Sequence, residues 1–554
     1  MKKILTLILL SFLGINLSAQ DTIALNPSNP GIAVPLDFTG LSYEMVSMQS
    51  GYFRPGDAAL IQYFNTLGVK VLRIGGNSVE TYNFYNGNAS TTYPNDTITP
   101  AEIDSLFGFA AAVNCQVMFG LNFGGNFDPS LAAQEAEYIT QNYGSQLLAF
   151  EIGNEPNLYV ANGLRPSGYN YSAYRAEFIQ YVDSIWFYSP NASISGATAA
   201  RNHGLNYTLP FCQDMVDTIM LLTMHNYDIS DTVASISQQI INLLSPQTLD
   251  TVLAIADTLV YCATNTDHRS FRMSECNSEY PYGQWNVANS FAASLWGLDY
   301  MYALAEANVS GVNFHTFNGS PSCAIHDTLG VFSARPLYYG ILAFQYGREG
   351  RFLPVHASIP TLNINTYSVL DSLQNIIVTI INKDTAHGYS IRLNPGNPDY
   401  SSAEMWTLSA STPSDTFGVT LAGTSVNTDG TWLPGPPLPV NYSNGYYSFD
   451  LPGATAYILK LTPTFTGIHS PSSNQNISLF PNPSNSTITL HTTISIVNYQ
   501  LSIANVLGEE VYHQNLLSQD SQIDVSKLSQ GVYFYELIAP DNTGTIIRGK
   551  FLKE

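Results

Sequence analysis

The chain has 554 residues, more than one hydrophobic core can serve, so several domains are expected. It is 45% hydrophobic and 12% aromatic, and its 20 Lys+Arg stand against 42 Asp+Glu for a formal net charge of −22. That sign repels nucleic acid and anionic membrane surfaces, and no Lys/Arg cluster offers a local exception, so nucleic-acid partners are excluded. The five cysteines, Cys115, Cys212, Cys262, Cys276 and Cys323, lack metal-ligand spacing. No metal or other cofactor is therefore expected, and the odd count leaves at least one thiol unpaired within a monomer.

In chain order, residues 1–20 carry Lys2-Lys3, an apolar run and a small-residue end, the pattern of a secretory signal peptide. No later stretch is apolar for long enough to suggest a transmembrane anchor. Residues 21–35 hold short β-like pieces broken by Pro27, Pro30 and Gly31, placed to join a later sheet. From 36 to 350, strand-like runs alternate with amphipathic ones eight times. The strands fall at 37–43, 69–74, 115–122, 147–153, 192–197, 219–225, 270–275 and 310–316, with helices at 58–67, 101–113, 131–142, 171–188, 286–307 and 335–346. This alternation predicts a (β/α)8 TIM barrel. An open doubly wound sheet fits less well, because polar residues recur at the ends of many strands instead of at one switch point.

Residues 351–463 lose the helical period and show alternating segments between Gly/Pro/Asn/Asp turns, a β-sandwich pattern. Residues 464–476, rich in Pro, Ser, Thr and Asn, read as a linker, and 477–554 as a small all-β unit.

The chemistry centres on the fourth and seventh strands. The apolar run before Gly153-Asn154-Glu155-Pro156 reads as a buried strand that delivers an amide and a carboxyl to its C-terminal mouth, where the proline stops the pairing. Phe271-Arg-Met-Ser-Glu275, 120 residues after Glu155, ends in a second carboxyl. Two carboxyls opening onto one barrel face are the requirement of glycosidic-bond cleavage, and in a retaining enzyme they stand about 5–5.5 Å apart. Glu151, on the same side of its strand as Glu155, and Glu279 remain alternatives to Glu275 on pattern alone.

Asn-Glu-Pro at the end of a fourth strand resembles the acid/base motif of the large clan of (β/α)8 retaining glycosidases. The longer string Glu151-Ile-Gly-Asn-Glu-Pro-Asn-Leu-Tyr159 resembles glycoside hydrolase family 79, the β-glucuronidase and heparanase-like enzymes, as do Gly40-Leu-Ser-Tyr-Glu-Met45 and Leu72-Arg-Ile-Gly-Gly-Asn-Ser78. The resemblance implies Glu155 as acid/base and Glu275 as nucleophile. Asn154 would then bond the sugar 2-hydroxyl, and Arg73 would keep the nucleophile ionised. His225-Asn-Tyr227 matches the clan's His-x-Tyr, which implies that Tyr227 orients Glu275 and that His225 lines the site. Glu44 is placed to reach sugar hydroxyls.

Heparanase-like members follow the nucleophile with Tyr-Gly-Gly, whose backbone donors meet a uronic carboxylate. Here Tyr280 keeps the tyrosine, but Pro281-Tyr282-Gly283 replaces the glycines, and proline has no N–H. Tyr280, Tyr282, Asn318 and amides near Gly75-Gly76 are the remaining candidate donors. The expected activity is that of a secreted, β-glucuronidase-like retaining exo-enzyme on an oligo- or polysaccharide. The alternatives are a neutral β-glycosidase or arabinofuranosidase of the same clan, or a catalytically idle carbohydrate-binding surface protein.

The motifs Leu479-Phe-Pro-Asn-Pro483, Ile503-Ala-Asn-Val-Leu-Gly508, Leu528-Ser-Gln-Gly-Val-Tyr533 and Lys550-Phe-Leu-Lys-Glu554 resemble the C-terminal sorting domain of type IX secretion. This resemblance implies a Bacteroidetes-type bacterium, the type IX machinery as partner, and passage through periplasm and outer membrane to the medium or the cell surface.

Overall fold

Eight parallel strands close into a barrel in a computed structural model that describes residues 21–84, 97–125, 127–230, 234–280, 283–317, 319–358, 362–464, 477–492, 500–506, 509–516, 520–538 and 546–554. The expected signal peptide, most of the 464–476 linker, Pro281, Tyr282 and Asn318 lie outside the described residues. The first to eighth barrel strands are Thr39–Glu44, Val71–Gly75, Gln116–Leu121, Leu147–Ile152, Ile194–Ala199, Leu221–Ser230, Ser270–Tyr280 and Val312–Thr316. The eighth pairs with the first in parallel register, Val312 opposite Thr39 and Thr316 opposite Tyr43, which closes the ring.

Strand alternation decides which side chains reach the interior. Leu72 and Ile74 pack outward against the helices, while Val71 joins Met118 and Leu221 in a small separate apolar cluster. Arg73, two residues after Val71, shares its inward face. The barrel interior is thus apolar near the strand starts and polar toward the C-terminal ends, where barrel sites form.

Eight main helices cover the barrel: Ala58–Leu67, Pro100–Ala112, Pro129–Tyr143, Tyr171–Tyr188, Arg201–Asp214, Pro246–Asp267, Phe291–Glu306 and Pro336–Gly347. Several start where a side chain accepts a free N–H of the first turn, as Asp57 does from Leu60 and Asp128 from Leu131. The helix expected from 286 begins at Phe291 instead. Asn286 has φ 66° and donates its N–H to the Asn289 side chain, so a turn precedes the Ser290 cap. The sixth and seventh strands run on to Ser230 and Tyr280, past their expected ends, so Glu279 lies inside the sheet and is buried. A disulfide, Cys212–Cys262, ties the fifth helix to the sixth, and Cys115, Cys276 and Cys323 are free and buried.

Two sheets follow the barrel. One runs in the order Arg351–Phe352, Ile364–Leu370, Ile376–Asn382, Thr455–Thr462, Ser402–Ser409, Thr420–Leu421, with Leu438–Pro439 also on Ser402–Ser409. The other runs Val355–Ala357, Asp21–Leu25, Tyr389–Asn394, Tyr446–Leu451, Asn441–Ser443. The N-terminal strand Asp21–Leu25 therefore lies in a sheet otherwise built from the far side of the barrel sequence. Ile23, Val378, Ile391 and Leu459 belong to the core shared by the two sheets. Residues 464–554 form a separate compact unit, in which a three-stranded and a four-stranded antiparallel sheet bury Ile488, Leu501, Ile503, Leu537 and Phe551. Among the described residues no helix is long and apolar enough to cross a membrane.

The seventh helix is pinned to the first sandwich sheet by a buried ion pair. Lys383 Nζ meets Asp299 Oδ2 at 2.7 Å, and Tyr367 and Asn365 donate to the same carboxylate at 2.8 and 2.9 Å. Removing the cation alone leaves a buried charge without its partner. Lys383→Met should therefore destabilise the barrel–sandwich unit by about 3–5 kcal/mol in urea unfolding. The double variant with Asp299→Asn should recover part of that loss, and equal stability of parent and single variant would refute the coupling.

Candidate active site

Arg73, with no exposed surface, sits at the centre of the polar mouth. Its Nε donates to Glu151 Oε2 at 2.6 Å, and Nη1 donates to Glu275 Oε2 at 2.5 Å and to Ser42 at 3.2 Å. Nη2 donates to Asn154 Oδ1 at 2.9 Å and lies 3.4 Å from His225 Nε2. Burial opposes its charge, but the Glu151 and Glu275 carboxylates outweigh that and raise its pKa further. Glu151, open to a catalytic reading from the sequence, is thus the buried counter-ion of Arg73.

Glu155 and Glu275 are 5% and 6% exposed. One carboxylate oxygen of each, together with a ring nitrogen of His225, all lie within 4.8 Å of one another. His225 Nδ1 is 3.1 Å from Glu155 Oε1. The tautomer with its proton on Nδ1 satisfies both that contact and the Arg73 donor facing Nε2. Glu155 follows the fourth strand in left-handed backbone, φ 53° and ψ 55°, with its N–H donating to Thr198 O at 3.0 Å. A non-glycine residue holds such a conformation only where neighbours fix it.

Tyr227 donates to Glu275 Oε1 at 2.6 Å. Burial alone would raise the Glu275 pKa. His315, His225 and Arg73, with the Tyr227 hydroxyl, outweigh it and hold the carboxyl well below its ordinary range. Burial and the adjacent carboxylate push the Tyr227 phenol well above its usual value, so it stays a donor.

His315, on the inner face of the eighth strand, links two acids: Nδ1 is 3.7 Å from Glu275 Oε2, and Nε2 is 3.5 Å from Glu44 Oε1. Burial disfavours its charge, but Glu275 and Glu44 raise its pKa above the usual histidine value. Glu44 is buried, and burial pulls its pKa upward, yet His315 and Ser78 bring it below the carboxylate norm. Its Oε2 accepts from Ser78 N at 2.8 Å and Ser78 Oγ at 2.6 Å, so much of its bonding capacity is already engaged. Gly76, at φ +70°, makes this close approach possible, since a Cβ there would run into the Glu44 carboxylate.

Asn154 accepts from Arg73, donates through Nδ2 to Asn77 Oδ1 at 3.1 Å, and donates its backbone N–H to Glu80 Oε1 at 2.8 Å. Tyr280, 49% exposed, packs edge-on against Tyr227 with ring centroids 6.0 Å apart. Both tyrosines line a cavity of about 660 Å³ beside Glu155, along with Arg201, Asp228 and Ser230. A cavity of about 390 Å³ at the opposite barrel end, near Lys70, Gln116 and Gln146, holds no paired carboxylates.

The structure thus brings together Glu155, Glu275, Asn154, Arg73, His225, Tyr227 and Glu44, with Tyr280 on the cavity wall. Sequence reasoning missed His315 and Glu80. His315 carried a signal, a lone histidine two residues past inward-facing Asn313; Glu80 carried none. Glu155, His225 and Glu275 have the proximity of a metal-ligand set. Their chemistry does not suit a cation, because Arg73 and Tyr227 already occupy both oxygens of Glu275 and the Arg73 guanidinium would repel it.

Comparison with known proteins finds distant relatives of the chain. A β-glucuronidase of Aspergillus niger is 23% identical over 379 residues, 60% of this chain and 66% of that protein. Heparanase of Bos taurus is 24% identical over 263 residues, 46% of each chain. The matches thus span just under two thirds of the fungal protein and about half of heparanase. A crystal structure of a 4-O-α-L-rhamnosyl-β-D-glucuronidase from Fusarium oxysporum, with Rha-GlcA, aligns with TM-score 0.66 at 19% identity, over 79% of this chain and 100% of that one. The GH51 arabinofuranosidase from Xanthomonas axonopodis pv. citri aligns with TM-score 0.60 at 13% identity, over 80% and 100%. Residues 478–549 match the secretion system C-terminal sorting domain. The chain therefore combines distant, family-79-like homology to β-glucuronidase and heparanase on a glycosidase-type barrel with a sorting domain for secretion.

The electrostatics carry a pH dependence. Glu275 and Glu44 are depressed, so the stability each contributes is complete above the ordinary carboxylate value of 4.5 and is lost as pH falls through the lower folded value. His315 is raised, so its contribution is complete below 6.5 and is lost as pH rises through its folded value. The unfolding free energy of Glu275→Gln, followed in urea from about pH 7 to pH 3, should accordingly fall less steeply than the parent's. Parallel slopes would show that Glu275 is not held low.

Proposed function

We propose that the protein is a secreted retaining glycoside hydrolase, a β-glucuronidase-like exo-enzyme working by double displacement. The observation that carries this reading is the approach of Glu155 and Glu275 oxygens to within 4.8 Å. That is close to the spacing of about 5–5.5 Å that direct attack needs, and too short for the spacing of about 6.5–9.5 Å that admits an inverting water.

In the first step a Glu275 oxygen attacks the anomeric carbon as the glycosidic bond breaks, and Glu155 gives its proton to the departing oxygen. In the second, Glu155 takes a proton from water, whose oxygen attacks the anomeric carbon and releases Glu275. Arg73, His315 and Tyr227 support the reading of Glu275 as nucleophile, because they favour its ionised form in a buried position. His225 holds the Glu155 carboxyl, and Asn154, fixed on both sides, is oriented for the sugar 2-hydroxyl. Tyr280 and Asn318 belong to the sugar-binding surface in this reading. Glu44 acts on it through Ser78 and His315 more than by direct contact.

A glucuronide on a neutral or weakly acidic glycan is the substrate class most in keeping with the distant relatives and with the net charge of −22. A neutral β-glycoside or arabinofuranoside is favoured by one observation, Pro281, which has no N–H for a uronic carboxylate. The C-terminal unit directs the enzyme through the type IX machinery to the medium or the cell surface.

A panel of 4-nitrophenyl β-D-glucuronide, β-D-glucoside, β-D-xyloside and α-L-arabinofuranoside decides the sugar. Turnover of the glucuronide alone is the expected result, and turnover of none would reduce the protein to a binder, for which calorimetry with Glu275→Gln is the check. Glu155→Gln should keep far more activity on a good leaving group than Glu275→Gln, which should lose at least about 100-fold on every substrate. Equal losses in both variants would remove the two assignments.

A further inference from the structure

We propose that Glu80 is a positioning residue for the acid/base corner, acting through the Asn154–Glu155 backbone. The proposal rests on the reading of Glu155 as the proton donor. Glu80 closes the short 3-10 turn Asn77–Glu80 just after the second strand and is 8% exposed. Its Oε1 accepts from the Asn154 N–H at 2.8 Å and from the Tyr159 hydroxyl. Its Oε2 accepts three consecutive N–H groups, Phe123 at 3.0 Å, Gly124 at 2.5 Å and Gly125 at 3.3 Å. Five donors therefore converge on one carboxylate, and among the described residues none of its bonded partners is a cation. In each of these contacts the carboxylate is the acceptor.

What those bonds hold is specific. They join the turn after the second strand, the loop after the third, and the first residue of the catalytic corner. The Asn154 N–H fixes the plane of the Gly153–Asn154 peptide, and with it the direction in which the chain enters Glu155's left-handed conformation. Tyr159, five residues on, returns to the same carboxylate, so both flanks of Glu155 are tied to Glu80. Space is as tight as the bonding. A Cβ on Gly124 would meet the Tyr159 ring at 2.8 Å and the Glu80 carboxyl carbon at 3.1 Å, and one on Gly125 would strike the Glu80 backbone carbonyl. The same turn supplies Asn77, which holds the Asn154 side chain. A proton donor must lie within hydrogen-bond reach of the departing oxygen at the moment of cleavage. The aim of Glu155 is thus set by a residue that never touches substrate.

Glu80→Gln keeps the shape but replaces one oxygen with an NH₂ group. Whichever way the amide turns, it sets a donor against either the Asn154/Tyr159 pair or the three backbone N–H groups. Tyr159→Phe removes a single donor at nearly constant volume. Both should be made in the full chain and assayed with 2,4-dinitrophenyl and phenyl glycosides of the sugar the parent cleaves. The phenyl leaving group needs protonation and the dinitrophenyl group does not. For the phenyl substrate kcat/KM should fall about 100-fold in Glu80→Gln and about 10-fold in Tyr159→Phe, while the dinitrophenyl value stays within about threefold. If Glu80→Gln does not fold, the Tyr159→Phe ratio decides. A fall by the same factor on both substrates, or a lower melting temperature with an unchanged ratio, would overturn the proposal and leave Glu80 a fold staple. A parent that cleaves no glycoside would instead overturn the reading of Glu155 itself.

Discussion

A guanidinium with no solvent around it must be neutralised where it stands, and the mouth of this barrel is arranged around that demand. Arg73 takes Glu151 on one edge and Glu275 on another, with Asn154 and Ser42 completing its donors. The two carboxylates offset the cost of burying its charge, and it offsets part of theirs. The division of labour follows from exposure. Glu151 has none and is closed in against Arg73, whereas Glu275 keeps a small exposed edge at the mouth. Arg73 therefore neutralises Glu151 and joins His315, His225 and Tyr227 in holding the Glu275 carboxyl low.

Around that pair the acids form a chain graded by their donors. Glu275 has an arginine, a tyrosine and nearby histidines; Glu44 has a serine and His315; Glu80 has only amides and a hydroxyl. His315 stands between two of these acids and is pulled toward its charged form by both. The site carries more carboxyl groups than cationic side chains at its centre, and in the proposed reading that balance suits the positive charge of an oxocarbenium-like transition state.

Much of this was legible in the sequence, for a physical reason. Buried barrel strands are apolar runs, and what ends them in polar residues is the mouth, so Arg73, Glu155, Glu275 and the His225–Tyr227 pair stood out by position as well as by motif. Element ends were less legible. The sixth and seventh strands continue to Ser230 and Tyr280 through polar residues, because neighbouring strands supply hydrogen bonds that no local pattern reports. Glu80 was illegible for the same reason at longer range. Its partners at 123–125, 154 and 159 are distant in the chain, and its own turn has no distinguishing composition.

In the proposed reading, bond cleavage and sugar choice fall to different parts of this geometry. Glu155 is tied to Thr198 and His225, and Glu275 to Arg73 and Tyr227, all on other strands. Tyr280, the last residue of the seventh strand, is half exposed and rests edge-on against Tyr227. A uronic carboxylate entering a mouth already rich in anions needs donors of its own, and Arg73 and His315 are engaged. Arg201, which lines the cavity beside Glu155, donates through Nη1 to the Tyr227 and Asp228 carbonyls. Among the described residues the Arg73 hydrogen bonds run to Ser42, Glu151, Asn154 and Glu275, so the anchoring of Glu275 to Arg73 is independent of Tyr280.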